Sequence, residues 1–129
     1  MGRDRGSRHA SVLKSSPVPT VLIVAGSDSS CGAGISADLE TVREMGCRPV
    51  LAVTSVTAQT DETFLVSHPI PPLVLRAQLE AAVQQAGDGI AAVKVGMLPD
   101  ETSVETVIEF LERCELPNVV IDPVLPSTS

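Results

Sequence analysis

A glycine- and serine-rich stretch, AGSDSSCGAGISADLE at residues 25–40, lies between an apolar run and a segment with helical periodicity. Small residues at such a turn let the backbone approach a ligand closely, and turns of this kind open many nucleotide and substrate sites. Its composition fits three ligands: a dinucleotide, a phosphate group or a small substrate. The rest of the sequence is needed to distinguish these three kinds of ligand.

A dinucleotide fingerprint is a weak interpretation of this turn. Gly32, Gly34 and Ala37 match the G-x-G-x-x-A form, but the turn that begins at Gly26 is longer than the tight turn of that fold. The acidic residue expected about 20 positions later is absent, since residues 57–59 read Thr-Ala-Gln. A phosphate-binding P-loop is excluded, because the sequence has no G-x-x-x-x-G-K-[ST] pattern. From the spacing of the glycines alone, a turn that permits tight packing and binds no ligand is equally consistent with the sequence.

The segments around this turn alternate between strand and helix patterns. Aliphatic runs at 20–26, 90–98 and 118–124 and a Val- and Thr-rich run at 48–59 predict four main strands, and 63–70 predicts a minor strand or arm. This order predicts an α/β fold, a parallel sheet with helices on both faces. Ligands bind beyond the carboxyl ends of such strands, which here lie at Gly26 and Ser27, Ala58 and Gln59, Gly96 and Met97, and Asp122 to Val124.

Three helices are predicted between the strands. In the first, Ile35, Leu39 and Val42 recur at helical spacing, and Gly46 stands where the helix would end. Pro71 and Pro72 introduce the second. Its apolar stripe consists of Leu75, Leu79, Ala82 and Val83.

The third helix carries Thr102 and Glu105 at capping-box spacing. Its predicted buried face consists of Val104, Val107, Ile108 and Leu111, and Cys114 continues that face. The sequence therefore predicts that Cys114 is a core residue.

Composition limits the function classes. The 129 residues fit one domain, and 43% hydrophobic with 19% charged residues is typical of a globular protein. No apolar run reaches the roughly 18 residues of a membrane span. A net charge of −7 argues against a nucleic-acid partner. Three widely spaced cysteines and two separated histidines indicate neither a disulfide framework nor a zinc site, and fit the cytoplasm best.

Residues 1–19 differ from the remainder, because they are rich in arginine and serine and have no sustained apolar period. We expect them to form a disordered N-terminal extension without a targeting role. Residues 20–129 would then form the α/β domain.

Four ordered segments carry a family resemblance: VAGSDSSCGAGISADLETVREMGC (24–47), TSVTAQT (54–60), KVGML (94–98) and VVIDPV (119–124). Together they resemble the amino-terminal half of the hydroxymethylpyrimidine kinase/phosphomethylpyrimidine kinase family of thiamine biosynthesis. The resemblance implies a ribokinase-like fold. It also implies ATP and magnesium as cofactors and phosphoryl transfer to the hydroxymethyl group of an aminopyrimidine, then to its monophosphate.

The resemblance also assigns the acceptor site. It implies that Gly26 and Ala33 line the pyrimidine pocket, that Met97 and Val124 pack on the ring, and that Asp38 faces the site. The amide of Gln59 offers a donor and an acceptor side by side, which matches an aminopyrimidine edge.

Two further charged residues, Asp122 and Lys94, lie in predicted strands. Asp122 resembles an acid near the magnesium–phosphate region, with a turn-forming Asp before Pro123 as the equal alternative. Lys94 lies within a strand between two valines and is interpreted as structural or substrate-side, without a chemical role.

The sequence departs from the family pattern in two places. Cys31 stands where the family has glycine, and the family's later Gly-Thr-Gly motif, which lines the anion hole, has no counterpart. No catalytic residue is therefore identified, and turnover by this chain alone is not expected. An incomplete sheet would expose a strand edge, so a homo-oligomer or a partner at that edge is expected.

Two alternative functions stay open. One is a non-catalytic module that binds the pyrimidine or regulates a full-length subunit. The other is part of a pyridoxine-type vitamin kinase, which shares the fold; Gln59 and the VGML segment favour the pyrimidine.

Overall fold

The structure is a computed structural model that describes residues 17–87 and 89–122. Of the predictions above, Val124 and residues 1–16 of the expected extension lie outside the described residues. In chain order the elements are β1 (Thr20–Ala25), α1 (Gly34–Glu44), β2 (Arg48–Val53), β3 (Ser55–Gln59), β4 (Phe64–Pro69), α2 (Pro72–Ala86), β5 (Ala92–Val95), α3 (Glu101–Arg113) and β6 (Val119–Ile121).

The main sheet has four parallel strands in the order β2-β1-β5-β6. Helices α2 and α3 pack on one face and on each other, and α1 covers β1 and β2 on the other face. The predicted α/β fold with helices on both faces is confirmed. Because β1 has a strand on either side and helices above and below, Leu22, Ile23 and Val24 have no exposed surface.

The single strand predicted at 48–59 is wrong, because the chain changes sheets in the middle of it. Thr54 still donates its N–H to Ala25 O at 2.9 Å, and its hydroxyl donates to Met97 O at 2.6 Å. From Ser55 onward the chain forms β3, which pairs antiparallel with β4 in a separate two-stranded sheet. The minor strand predicted at 63–70 is thus the partner of β3.

Three predictions for α3 are wrong: the cap, the burial of Cys114, and the burial of Val104 and Ile108. The cap is Asp100, whose Oδ1 accepts from the N–H and hydroxyl of Ser103 at 2.8 and 2.6 Å, so Thr102 lies inside the helix. Cys114 is exposed, since it follows the last helical residue as the C-cap. The buried face consists of Ser103, Thr106, Val107, Phe110 and Leu111, while Val104 and Ile108 lie at its exposed margin.

Strand β6 forms one edge of the main sheet, and its three residues are exposed. The sheet edge expected from the sequence is therefore present among the described residues. In the same part of the chain, no helix combines the length and apolarity that crossing a membrane would need.

Helix α1 begins in close contact with the end of β1. Ile35 N donates to Gly26 O at 2.9 Å, and Gly34 has φ +65. A Cβ atom on Gly34 would overlap the Gly26 carbonyl oxygen, which belongs to the backbone and has no room to move. Only glycine therefore lets the helix start at this point.

We predict that Gly34→Ala lowers the free energy of unfolding by about 3 kcal/mol, because it adds an overlap to left-handed strain. Gly46→Ala is the matched control, since Gly46 has φ +77 and open space around it. It should cost about 1 kcal/mol. Urea unfolding of both variants measures the difference; equal losses would contradict the overlap.

Candidate functional site

The turn between β1 and α1 is organised by Asp28. This carboxylate is buried, and its Oδ1 accepts the hydroxyl of Ser30 at 2.6 Å and the Ser30 N–H at 2.8 Å. The bond from the Ser30 hydroxyl is the main reason that the pKa of Asp28 lies below its ordinary value; burial opposes the shift, and the N–H groups of Ala33 and Gly32 add to it. Sequence analysis missed Asp28, although an Asp two positions before a Ser is a common turn pattern.

The turn is fastened to β3 by two serines. Ser27 Oγ accepts from Thr57 N at 3.2 Å, and the Thr57 hydroxyl donates to Ser27 O at 2.5 Å. Ser29 Oγ donates to Gln59 O and accepts from Gln59 N, both at 2.7 Å. The alternate residues of the turn thus bond to alternate residues of β3, which brings Gln59 beside the turn. Ser29 and Thr57 were not predicted as site-forming residues, and Ser27 was named only as the end of a strand.

The side chain of Gln59 is oriented by a chain of hydrogen bonds. Its Nε2 donates to Thr57 Oγ1 at 2.9 Å, and Thr57 Oγ1 in turn donates to Ser27 O. One N–H and Oε1 of the amide have no partner among the described residues. The predicted adjacent donor and acceptor are therefore available to the edge of a flat heterocycle.

Gly26 and Met97, both predicted to line the site, lie in contact. A Cβ atom on Gly26 would stand 2.6 Å from Met97 Cε, so the methyl group occupies the space that a side chain would need. The backbone of Met97 is fixed, because its carbonyl accepts the buried hydroxyl of Thr54. Together they form a small apolar surface with a flexible thioether at one side.

Lys94 joins the two predicted carboxylates. Its Nζ lies 2.7 Å from Asp38 Oδ2 and 3.9 Å from Asp122 Oδ2. Asp38 comes from α1 and Asp122 follows β6, so three elements meet at one ammonium group. Sequence analysis gave Lys94 no role, although a cation between two valines of a buried strand needs a partner.

The residues of the polar and apolar contacts lie next to one another at the carboxyl end of the sheet. A Cβ atom on Gly96 would stand 3.2 Å from Lys94 Nζ, and the next residue is Met97, which contacts Gly26. Ala33 is the exposed N-cap residue of α1 in the same turn. The structure thus brings five of the predicted acceptor-site residues to one end of the sheet; Val124 lies outside the described residues.

The described residues contain no cluster of three or more His, Cys, Asp or Glu side chains that would hold a metal ion by themselves. Asp122 is a single, largely exposed carboxylate. Magnesium usually takes one or two carboxylates, water and substrate phosphates rather than a complete protein cage. One carboxylate such as Asp122 is enough for the kind of magnesium site that the family resemblance implies.

Comparison with known proteins identifies relatives of this chain. The family model for phosphomethylpyrimidine kinase matches residues 28–129. A hydroxymethylpyrimidine/phosphomethylpyrimidine kinase of Haemophilus influenzae is 43% identical over 110 residues, which are 85% of this chain and 40% of that protein.

Two solved structures share the fold. The crystal structure of a Clostridium difficile phosphomethylpyrimidine kinase has a TM-score of 0.78 and 32% identity, covering 87% of this chain and 47% of that one. A Staphylococcus aureus pyridoxal kinase in complex with AMP-PCP and pyridoxal has a TM-score of 0.75 and 34% identity, covering 85% and 40%. The chain therefore spans less than half the length of each of these relatives.

Cys31 has φ +64, so the departure from the family's glycine places a side chain in the left-handed region. We predict that Cys31→Gly raises the free energy of unfolding by roughly 1 kcal/mol, because it relieves this strain. Cys31→Ala, which keeps the strain, is the control and should give no comparable gain in a urea titration. Equal effects of the two variants would contradict the backbone explanation.

The lowered pKa of Asp28 gives a pH dependence. A carboxyl group with a folded pKa below its unfolded value of about 3.9 stabilises the fold above that value, and this contribution is lost as the pH falls through the folded pKa. We predict that Asp28→Asn, whose amide oxygen still accepts from Ser30, removes this component of acid destabilisation. Denaturant midpoints of both proteins from about pH 6 downward measure it; parallel curves would contradict the prediction.

Proposed function

The chain belongs to the phosphomethylpyrimidine kinase family, and on that premise we propose that it forms the acceptor-binding part of an ATP-dependent small-molecule kinase. The proposed acceptors are hydroxymethylpyrimidine and its monophosphate in thiamine biosynthesis. The observation that carries the proposal is the oriented amide of Gln59 beside the turn whose first residue, Gly26, contacts Met97.

Each of these groups has a part in acceptor binding. The bare backbone of Gly26 lets a flat ring approach, and the Met97 methyl group packs against the ring. The remaining N–H and Oε1 of Gln59 pair with a ring nitrogen and its neighbouring amino group. The carboxylate of Asp38, with Oδ2 already bound to Lys94, offers Oδ1 to a polar substituent of the acceptor.

The donor in this proposal is ATP with magnesium. The pyridoxal kinase structure with AMP-PCP supports a nucleotide triphosphate in a related fold. When bound, magnesium would neutralise charge on the transferred phosphoryl group. In this chain Asp122 would hold that ion, since its exposed carboxylate lies at the carboxyl end of the sheet next to Lys94.

We propose acceptor binding without turnover as the activity of these 129 residues. The sequence has no Gly-Thr-Gly motif, and no side chain among the described residues is assigned to contact the transferred phosphoryl group directly. Acceptor binding without turnover is expected both of a non-catalytic binding module and of a part of a larger kinase. Turnover that appears only after the separately produced carboxyl-terminal half of a family member is added would favour the second.

A pyridoxine-type acceptor is the second candidate. The structural similarity to the pyridoxal kinase favours it. The two acceptors differ in the ring edge, because the aminopyrimidine presents an amino group beside a ring nitrogen. The adjacent donor and acceptor of Gln59 match that edge.

We predict that Gly26→Ala weakens binding of hydroxymethylpyrimidine at least tenfold, about 1.4 kcal/mol, with little change in stability. The Met97 methyl group lies at the end of a flexible side chain and must move away, which disturbs the ring contact. Isothermal titration calorimetry with the pyrimidine, and then with pyridoxal, measures both affinities.

Gly46→Ala is the control, because it makes the same change after α1 and away from the site; it should bind like the wild type. Tighter binding of pyridoxal than of the pyrimidine would favour the second candidate. Absence of binding by the wild type to either compound would overturn the proposed function.

A further inference from the structure

We propose that Lys94 is a positioning residue of the acceptor site, because its ammonium group fixes the carboxylate of Asp38 toward the acceptor. The inference rests on the proposed function of the site. It assigns Lys94 a part in the affinity for the acceptor.

The position of Lys94 in the sheet places its charge at the site. Lys94 is paired in register with Ile23 of β1, and Ile23 packs with Ile35 of α1 on the face that this helix covers. The ammonium group reaches the carboxyl end of β5 beside Gly96, where a Cβ atom would stand only 3.2 Å from Nζ. The absence of a side chain at Gly96 therefore makes room for the charge immediately before Met97.

The contact with Asp38 differs from the other ion pairs of the described residues. At 2.7 Å it is a charge-assisted hydrogen bond, and the side chains of Lys94 and Asp38 are only 28% and 19% exposed. The pairs Arg76–Glu109 and Arg113–Glu80 are longer, at 3.5 and 3.7 Å, and at least 42% exposed on both sides. Exposed ion pairs of that kind contribute little to stability. Of these ion pairs, the one between Lys94 and Asp38 therefore has the strongest effect on the position of its side chains.

The two carboxylates are not equivalent partners. Asp122 lies 3.9 Å from Nζ, beyond hydrogen-bond distance, and its side chain is 67% exposed. Lys94 therefore orients Asp38 and only attracts Asp122. Without the ammonium group, the carboxylate of Asp38 would lose its hydrogen-bond partner, and the repulsion between the two acids would no longer be offset.

This arrangement has a consequence that a purely structural lysine would not have. Because Asp38 Oδ2 is occupied by Lys94, the rotation of the carboxylate is restricted and Oδ1 is directed by the same contact. Removal of either partner should therefore weaken acceptor binding by the same mechanism. The two changes should be strongly non-additive.

The test is a double-mutant cycle on the 129-residue chain with Lys94→Met, Asp38→Asn and the double variant. Hydroxymethylpyrimidine is titrated by calorimetry at a temperature where circular dichroism shows each variant to be folded. We expect each single change to weaken binding about tenfold and the double variant to bind no worse than either single one. Arg113→Met is the matched control, and its affinity should equal that of the wild type.

A second variant covers the case in which Lys94→Met does not fold. Lys94→Arg keeps the charge, but its planar guanidinium is bulkier than the ammonium group that now lies beside Gly96. It should fold and bind the pyrimidine several-fold more weakly than the wild type.

The experiment distinguishes a failure of the inference from a failure of the proposed function. If the wild type binds the pyrimidine and folded Lys94→Met or Lys94→Arg binds it equally well, the inference is wrong and the proposed function stands. Additive losses in the cycle would likewise overturn the inference. If the wild type binds no pyrimidine, the proposed function fails and the inference fails with it.

Discussion

The contact between Gly34 and the carbonyl oxygen of Gly26 is the constraint on which the rest of the site depends. It permits α1 to begin directly at the end of β1, with Ile35 N bonded to that carbonyl. The start of the helix fixes the position of Asp38 one turn later, and Asp38 reaches Lys94 on β5. The other side of Gly26 contacts Met97. The position of the Gly26 backbone therefore determines how the Lys94–Asp38 pair and the contact with Met97 lie relative to each other.

Electrostatics in this protein are local rather than global. The chain has a net charge of −7, so long-range attraction does not favour an anionic ligand. Within the described site, the cation is Lys94, and it is already paired with Asp38. In the proposed site, this arrangement suits the heterocyclic ring of the acceptor, which an amide and a carboxylate recognise, better than it suits a phosphate group.

The sequence predicted the strands and helices well where burial follows a simple period, as in β1 and in the stripe of α2. It did not predict the division of 48–59, because the change of sheet depends on bonds from Thr54 to Ala25 and Met97, distant in sequence. The cap at Asp100 lies two residues before the predicted Thr102, and Cys114 is exposed because the helix ends at Arg113. The family resemblance supplied Gly26, Asp38 and Met97, but the pairing through Lys94 required the fold.

The most direct test of the acceptor site is the methyl NMR signal of Met97. In protein labelled with ¹³C at methionine methyl groups, hydroxymethylpyrimidine should shift the Met97 signal through the ring current, because the ring packs on that methyl group. Met45, which is exposed at the end of α1, provides an internal reference that should not move. A Met97 signal that stays in place at saturating pyrimidine, or moves together with that of Met45, would contradict the account.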